Sequence, residues 1–206
     1  MKHRPIFKIA LAVVALFLVP SISLAQAQGS APQQEAGQSP MADVARIFGH
    51  DPGPGTAYAC FKRSYAKAHL EAHQQQNVTQ MLLFVAKPAG DEMQFNLSMQ
   101  VWFRKIGKPF EVAGGCSRGS EGDKALSCGI ECDGGYLAVR IKNTQSILVD
   151  IPQSVRLWDP EADESDALPD KARFGADDKL FRLDRTDVKN CLPLIHDDEI
   201  RAEISR

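Results

Sequence analysis

The residues best suited to chemistry are two histidines, His69 and His73, which stand four positions apart. On a helix this spacing places both imidazoles on adjacent turns of one face, within reach of a single zinc or copper ion. Two ligands do not complete a site, and Glu71 between them does not occupy the position of a metalloprotease general base. The pair therefore has two interpretations: part of a metal site, or one histidine packed against the fold and one in solvent.

A second set of reactive side chains consists of five cysteines, which are Cys60, Cys116, Cys128, Cys132 and Cys191. Cysteines of an exported chain meet an oxidising compartment and tend to pair there. Because the number is odd, one thiol must be left over.

Strand geometry limits how these cysteines can pair. If Cys128 and Cys132 share a strand they lie about 13 Å apart, at ~3.3 Å per residue, whereas a disulfide needs Cα atoms within ~7 Å. Cys116 precedes them across a hairpin, and a bond to Cys128 centres the turn on Gly122. A bond to Cys132 would centre it on Lys124, which is a poorer turn residue. The preferred pair is Cys116–Cys128.

The remaining cysteines lie near the two ends of the predicted domain. A bond between Cys60 and Cys191 closes a loop of about 130 residues, which stabilises the fold by up to ~4–5 kcal/mol in the chain-entropy model. Cys132 is then the candidate free thiol, with a structural role or a reactive one. A bond from Cys132 to Cys60 or Cys191 is an equally simple scheme and stays open.

Motifs for catalysis are scarce in this chain. There is no Gly-x-Ser-x-Gly nucleophile elbow and no glycine-rich phosphate loop. Carboxylate pairs for glycoside hydrolysis cannot be chosen by spacing among 26 acidic residues. The sequence favours a non-enzymatic protein without a cofactor. The alternatives are a zinc- or copper-binding protein that uses His69 and His73, and a cell-envelope hydrolase.

Two segments carry a recognisable pattern: Cys60-Phe61-x-Arg63-x-Tyr65-x-x-x-His69-Leu70-x-x-His73 and Cys128-x-x-x-Cys132-Asp133-Gly134-Gly135. This pattern resembles a group of uncharacterised exported bacterial proteins, over roughly Thr56 to Leu194. The resemblance implies a location outside the cytoplasm and the extent of the domain. It implies no mechanism, because that group has no assigned activity.

The amino-terminal segment has the layout of a secretory signal peptide. Basic residues precede an unbroken apolar run, Ile9–Val19, and small residues fit cleavage after Ala25 or Ala27. The run of 11 residues is too short for a bilayer span, which needs about 20 residues. The sequence therefore predicts a periplasmic or secreted protein that has no membrane anchor after cleavage.

Charge restricts the partners of the mature chain. Cleavage would remove three basic residues and leave 21 basic against 26 acidic side chains. A net negative chain without a basic stripe is not typical of proteins that bind nucleic acid. The predicted partner is an unknown protein or a small apolar ligand.

Alternation of apolar and polar residues predicts the fold. Met93–Phe103 alternates over its whole length, which only a strand with one buried face explains. Further short strands separated by turns predict a mainly β domain, a single antiparallel barrel or sandwich, with one helix at roughly Ser64–Gln76. Trp102 lies on the polar side of the long strand. It is a candidate surface contact, or else part of a small second cluster.

The predicted organisation has four parts: a signal peptide at 1–25, a flexible linker that could hold a short helix at 26–55, a β-rich domain at 56–195 and a carboxy-terminal tail at 196–206. An acidic, proline-containing stretch, Asp159–Asp170, is predicted to be a solvated loop. Taken together, these features predict an exported, disulfide-containing binding or interaction protein.

Overall fold

The computed structural model describes residues 40–90, 94–119, 124–163 and 167–206. The predicted signal peptide, both cleavage sites and the first part of the linker lie outside these residues. Met93 and the predicted turn centre Gly122 lie outside them as well. All five cysteines and both histidines of the His69–His73 pair are described.

Eight strands of the described residues form a closed antiparallel barrel in which each strand pairs with the next and the last returns to the first. The strands are β1 (Ala57–Ser64), β2 (Val78–Lys87), β3 (Gln94–Phe103), β4 (Pro109–Arg118), β5 (Lys124–Ile130), β6 (Tyr136–Asn143), β7 (Ser146–Asp150) and β8 (Leu180–Thr186). The prediction of a mainly β antiparallel domain is confirmed, and ring closure makes it a barrel.

Short helices lie before, within and after the strands. They are α1 (Pro40–Phe48), α2 (Lys67–Ala72), a 3₁₀ helix (Val188–Leu194) and α3 (Asp198–Ser205). Only α2 lies between strands, and it begins soon after β1, as the sequence predicted for a helix near the start of the domain.

The inside of the barrel is filled by the strands' own side chains. The predicted long strand is β3, and its alternate residues from Phe95 to Phe103 are buried in the core. Cys116 of β4 lies opposite Cys128 of β5, and both are buried in the same core. The alternation that identified the strands therefore also selects the residues that pack in the lumen.

Helix α1 covers one end of the barrel. Ile47 and Phe48 are buried in the core, and the Phe48 ring stacks on Phe95 with 6.2 Å between centroids. Arg185, in β8, donates to the carbonyl oxygens of Arg46 and Ile47 at 2.6 and 2.8 Å. Last-turn carbonyls have no partner within a helix, so this guanidinium caps α1. The interval assigned to a linker thus contains a helix of the folded unit.

The other end is covered by the connector, which we define as residues 151–179 between β7 and β8. Its Phe174 ring meets Phe103 edge-on at 5.6 Å and lies 6.3 Å from the ring of Phe181. Aromatic pairs at these separations add to the burial of their apolar surface. Residues 151–163 and 167–179 of the connector therefore pack as part of the core although they have little regular secondary structure.

Helix α2 is shorter than the interval predicted for it. Arg104, in the β3–β4 turn, donates to the carbonyl oxygens of Leu70, His73 and Gln76. The Arg104 side chain thus binds acceptors that further helical turns would otherwise satisfy, and the His73 carbonyl also accepts the Gln76 backbone N–H at 3.0 Å. The helix ends at Ala72 even though no glycine or proline follows directly.

The carboxy-terminal segment packs on the outside of the barrel. A second group of buried residues, here called the outer cluster, consists of Cys60, Leu82, Phe84, Ala86, Cys191, Leu194 and Ile195. Ile200 and Ile204 of α3 pack against this cluster, and so does the half-buried Trp102. The predicted tail thus contributes to the fold, and Trp102 lies beside a small second cluster.

Tyr58 links β1 to α3, and its ionisation makes the stability of the fold depend on pH in the alkaline range. Its hydroxyl donates to Glu203 Oε2 at 3.0 Å. Burial, and then Glu203, raise the pKa of Tyr58 from 10.0 to about 12. Because the folded-state pKa is the higher one, this stabilising contribution is present below pH 10 and is lost as the pH rises towards 12.

We therefore expect a step near pH 12 in an alkaline absorbance titration of the tyrosines. Burial also raises the pKa of Tyr65, so Tyr58→Phe should reduce the amplitude of this step, and Tyr136→Phe, at an exposed tyrosine, should leave it unchanged. An unchanged amplitude near pH 12 in the Tyr58→Phe protein would contradict the assignment.

Candidate functional site

A cleft of about 580 Å³ opens at the end of the barrel that the connector covers. It lies between the β5–β6 turn, the connector and the segment that follows the 3₁₀ helix. Its apolar wall consists of Ile130, Leu157, Trp158, Pro160, Ala162 and Leu168. Its polar lining consists of Glu131, Cys132, Arg156, Asp159, Asp163 and His196.

The β5–β6 turn presents Cys132 to the cleft. Cys132 and Asp133 have φ values of 56° and 55°, in the left-handed region. A Cβ on Gly134 would lie 2.7 Å from the carbonyl oxygen of Glu131, so the turn requires glycine there. The Gly134 carbonyl accepts the backbone N–H of Arg156 at 2.7 Å. The turn is therefore bonded to the connector, and Cys132 has a defined place in the wall.

Trp158 enters the cleft because its backbone pairs with β4. The N–H of Glu111 donates to the Trp158 carbonyl at 2.8 Å, and the Trp158 N–H donates back at 3.0 Å. Val155 makes a similar isolated bridge with Gly135. The segment Val155–Trp158 thus forms a pair of single bridges that attach the connector to the barrel wall.

A network of hydrogen-bonded polar side chains runs from the barrel wall to the cleft. Gln100 and Glu111 face each other across β3 and β4, and Gln100 Nε2 donates to Glu111 Oε1 at 2.9 Å. His196 Nε2 lies 2.9 Å from Glu111 Oε2. Glu111 is only 3% exposed, so these two bonds compensate for its removal from water. This network fixes the imidazole of His196 at the edge of the cleft.

The acidic groups of the cleft differ in their partners. Asp159 lies 2.6 Å from Lys108 Nζ, and hydrogen bonding between them lowers the pKa of the Asp159 carboxyl and raises that of Lys108. This pair is close to neutral. Glu131 and Asp163 are exposed carboxylates of the rim, and Arg156 is the guanidinium among the lining residues. The rim therefore favours cationic groups.

The structure contains the Cys116–Cys128 disulfide that strand geometry favoured and, of the schemes left open for the other cysteines, the one that joins Cys60 to Cys191. Cys60 bonds to Cys191 with a Cα–Cα distance of 5.9 Å, and Cys116 bonds to Cys128 with a Cα–Cα distance of 4.0 Å. Cys132 is a free, exposed thiol. Of the residues that the sequence singled out, Cys132 lies in the cleft, and the paired cysteines, His69, His73 and Trp102 do not line it.

His69 and His73 lie at α2, away from the cleft lining. Their rings stack with centroids 4.4 Å apart and an interplanar angle of 28°, and His69 Nε2 lies 2.9 Å from Gln76 Oε1. Ring nitrogens bind a metal in the plane of the ring, so stacked rings do not aim at one ion without rotation. Within residues 40–90, 94–119, 124–163 and 167–206, no three His, Cys, Asp or Glu side chains form a group that could hold a metal.

Sequence reasoning missed three residues of the site: Glu111, Trp158 and His196. Glu111 occupies an ordinary polar position on an alternating strand, and nothing local shows that Trp158 and His196 cover it. Glu111 and His196 are 85 positions apart in the sequence, so no local pattern could show that they meet.

Comparison of the chain with models of protein families, with curated proteins and with solved structures gave no match. Among the helices of the described residues, none is both long and apolar enough to cross a membrane. The fold and site define a class: a disulfide-bonded, eight-stranded antiparallel barrel with a cleft of ligand size at one rim.

Proposed function

We propose that this protein is an exported, non-enzymatic binding protein that holds a small molecule in the cleft. One observation carries the proposal: a cleft of about 580 Å³ that combines an apolar wall with a few polar groups. Small-molecule sites typically have volumes of ~300–1,000 Å³ and this mixture of surfaces. The apolar wall would bury the body of the ligand, and the polar rim would orient it.

The lumen supports ligand binding less well than the cleft does. The buried side chains that point into the barrel form one continuous core cluster. The ends of this core are covered by α1 and by the connector. An apolar ligand would have to displace packed side chains such as Phe95 and Phe110, and disturbing packing of this density is unfavourable.

Export is supported by the state of the cysteines and by the amino-terminal sequence. Disulfides persist in oxidising compartments and are rare in the cytoplasm. The chain has two intrachain disulfides, both buried. The signal-peptide pattern and the resemblance to exported bacterial proteins are consistent with a periplasmic or secreted location.

A hydrolase is less well supported by this cleft. Glycoside hydrolysis needs a carboxyl group whose pKa is raised so that it can act as an acid. The pKa of Asp159 is lowered by its hydrogen bond to Lys108. This acid is suited to a structural ion pair and not to proton donation.

The proposal can be tested with the two tryptophans, because Trp158 lines the cleft and Trp102 packs against the outer cluster. As a probe we choose N-phenyl-1-naphthylamine, a neutral apolar fluorophore that accepts energy from tryptophan. In the Trp102→Phe protein, titration with the probe should quench the remaining Trp158 emission in a saturable way. Quenching shows that the probe binds to the protein, and a variant that fills the cleft locates the binding site.

The Trp158→Phe protein keeps only Trp102, which lies in β3 one strand away from the Glu111–Trp158 pair, so its emission should be quenched as well. The site is located by Ala162→Trp, which fills the cleft at an exposed position and should abolish probe binding, followed by the emission of the probe, without unfolding the barrel. Absence of saturable binding, or saturable binding that persists in the Ala162→Trp protein, would rule out the cleft as a ligand site.

A further inference from the structure

The proposed ligand cleft contains the chain's single unpaired cysteine. The other four cysteines form two disulfides, and each of them is at most 1% exposed. Neither disulfide is accessible to attack from Cys132, which lies exposed at the cleft. A thiol that is exposed in an oxidising compartment must therefore react with a partner from outside the chain, if it reacts at all.

The cleft points to a small ligand independently of the thiol. Its volume and its mixed wall would suit a bound molecule even if residue 132 were serine. The thiol is also held in a defined position, since the turn that carries it is bonded to Arg156 of the connector. An attachment point in a pre-formed cleft favours a small molecule over a second protein, which would need a wider contact surface.

Charge around Cys132 favours one type of molecule. Its two neighbours in the chain, Glu131 and Asp133, are exposed carboxylates, and Asp163 lines the same cleft. Arg156 is the one guanidinium of the lining. Trp158 adds an aromatic surface of the type that attracts cations. A positively charged group is therefore attracted to this cleft, and a negatively charged one is repelled.

We propose that the cleft captures small cationic disulfides of the aminothiol class as a mixed disulfide on Cys132. This inference rests on the proposed function, because it assigns a ligand class to the same cleft. In the reaction the Cys132 thiolate attacks one sulfur of the disulfide RS–SR. A new S–S bond joins Cys132 to one RS group, and the original S–S bond breaks. The other half leaves as RS⁻, and the Cys132 proton passes to water.

The test compares two symmetrical disulfides of similar size and opposite charge: cystamine, which is cationic, and 3,3′-dithiodipropionate, which is anionic. Intact-protein mass spectrometry follows the rate at which each modifies the full-length protein. We expect cystamine to react about tenfold faster, as two or three carboxylates near the thiol imply at surface dielectric. The preference should shrink in high salt. Cys132→Ser should abolish modification by both.

A matched control places an equivalent thiol outside the cleft. Lys105 is exposed and has a φ of 63° in the β3–β4 turn. The double variant K105C/C132S therefore offers a cysteine in similar backbone geometry, beside Arg104 and Lys108. Its preference should disappear or favour the anionic reagent. If both thiols show the same preference, or if Cys132 reacts faster with the anion, the inference is wrong.

Two further outcomes separate this inference from the proposed function. A disulfide between two copies of the chain, formed through Cys132 in place of the mixed disulfide, would overturn the inference. Titration of the Cys132→Ser protein with N-phenyl-1-naphthylamine tests the cleft without the thiol. If the Cys132→Ser protein binds the probe in a saturable way but Cys132 shows no charge preference, the cleft is a binding site and cationic disulfides are not its ligands. Modification of Cys132 by cystamine should also block the probe.

Discussion

Replacing Cys60 and Cys191 together by alanine is expected to lower the free energy of unfolding by about 5 kcal/mol. The bond closes a loop with a sequence separation of 131 residues and attaches the 3₁₀ helix to the outer face of β1. Without this disulfide, the unfolded chain gains the conformational entropy that the cross-link had removed. The carboxy-terminal segment would then be held by the outer cluster and by contacts such as Tyr58–Glu203.

The second disulfide is the natural comparison for this experiment. Cys116 and Cys128 are separated by 12 residues, so their replacement by alanine should lower the free energy of unfolding by only about 3 kcal/mol. All four cysteines are buried, so the loss of packing is similar in the two variants. Urea denaturation in a Cys132→Ser background, which prevents disulfide exchange, measures both. A larger loss for the shorter loop would contradict the chain-entropy explanation.

Asp178 anchors the connector, and Asp178→Ala should lower the free energy of unfolding by about 3 kcal/mol or more. Its side chain is fully buried and accepts the backbone N–H groups of Asn77, Val78 and Gly175 at 2.8, 3.1 and 2.7 Å. Alanine would leave three donors without an acceptor near the start of β2. Each unsatisfied buried donor is unfavourable by ~1–3 kcal/mol.

Two matched variants separate these hydrogen bonds from a general effect of mutation. Burial raises the pKa of the Asp178 carboxyl, and the backbone bonds oppose this. Asparagine is neutral and keeps one acceptor oxygen, so Asp178→Asn should lower the free energy of unfolding by only about 1 kcal/mol. Asp177→Ala changes an exposed neighbour and should have little effect. Equal losses from Asp178→Ala and Asp178→Asn in urea denaturation would show that the hydrogen bonds are not the cause.

The Asp178 variants also bear on the cleft, because the connector carries Trp158. If Asp178 holds the connector in place, Asp178→Ala should weaken the binding of N-phenyl-1-naphthylamine more than Asp178→Asn does. Measurement at a temperature where both variants are folded separates loss of the cleft from loss of the barrel.

Local patterns in the chain determined much of the fold. Alternation in β3 follows from the geometry of a strand, in which successive side chains point to opposite faces, so it can be read without knowing the neighbours. The same regularity set Cys116 opposite Cys128 across a hairpin. The Cys60–Cys191 bond was one of two schemes that the sequence left open, and it depends on β1 and the 3₁₀ helix meeting in space.

Helix α2 shows where local sequence patterns fail to predict the structure. The residues from Ser64 to Gln76 contain no glycine or proline, and they could continue as a helix. Arg104, in the β3–β4 turn, binds three of their carbonyl oxygens and thereby supports an early end. The same interval contains His69 and His73, whose rings stack on each other instead of converging on an ion.

The sequence by itself determined the strand pattern and favoured the register that joins Cys116 to Cys128, and it left open whether Cys132 is the odd thiol. Tertiary structure decided that Cys132 is the free thiol and that it lies in a cleft, because the walls come from the β5–β6 turn, from the connector and from the segment after the 3₁₀ helix. Glu111, Trp158 and His196 meet there through one backbone pair and one hydrogen bond. Contacts of this kind form when distant segments are brought together as the barrel closes, so the spacing of residues along the sequence does not predict them.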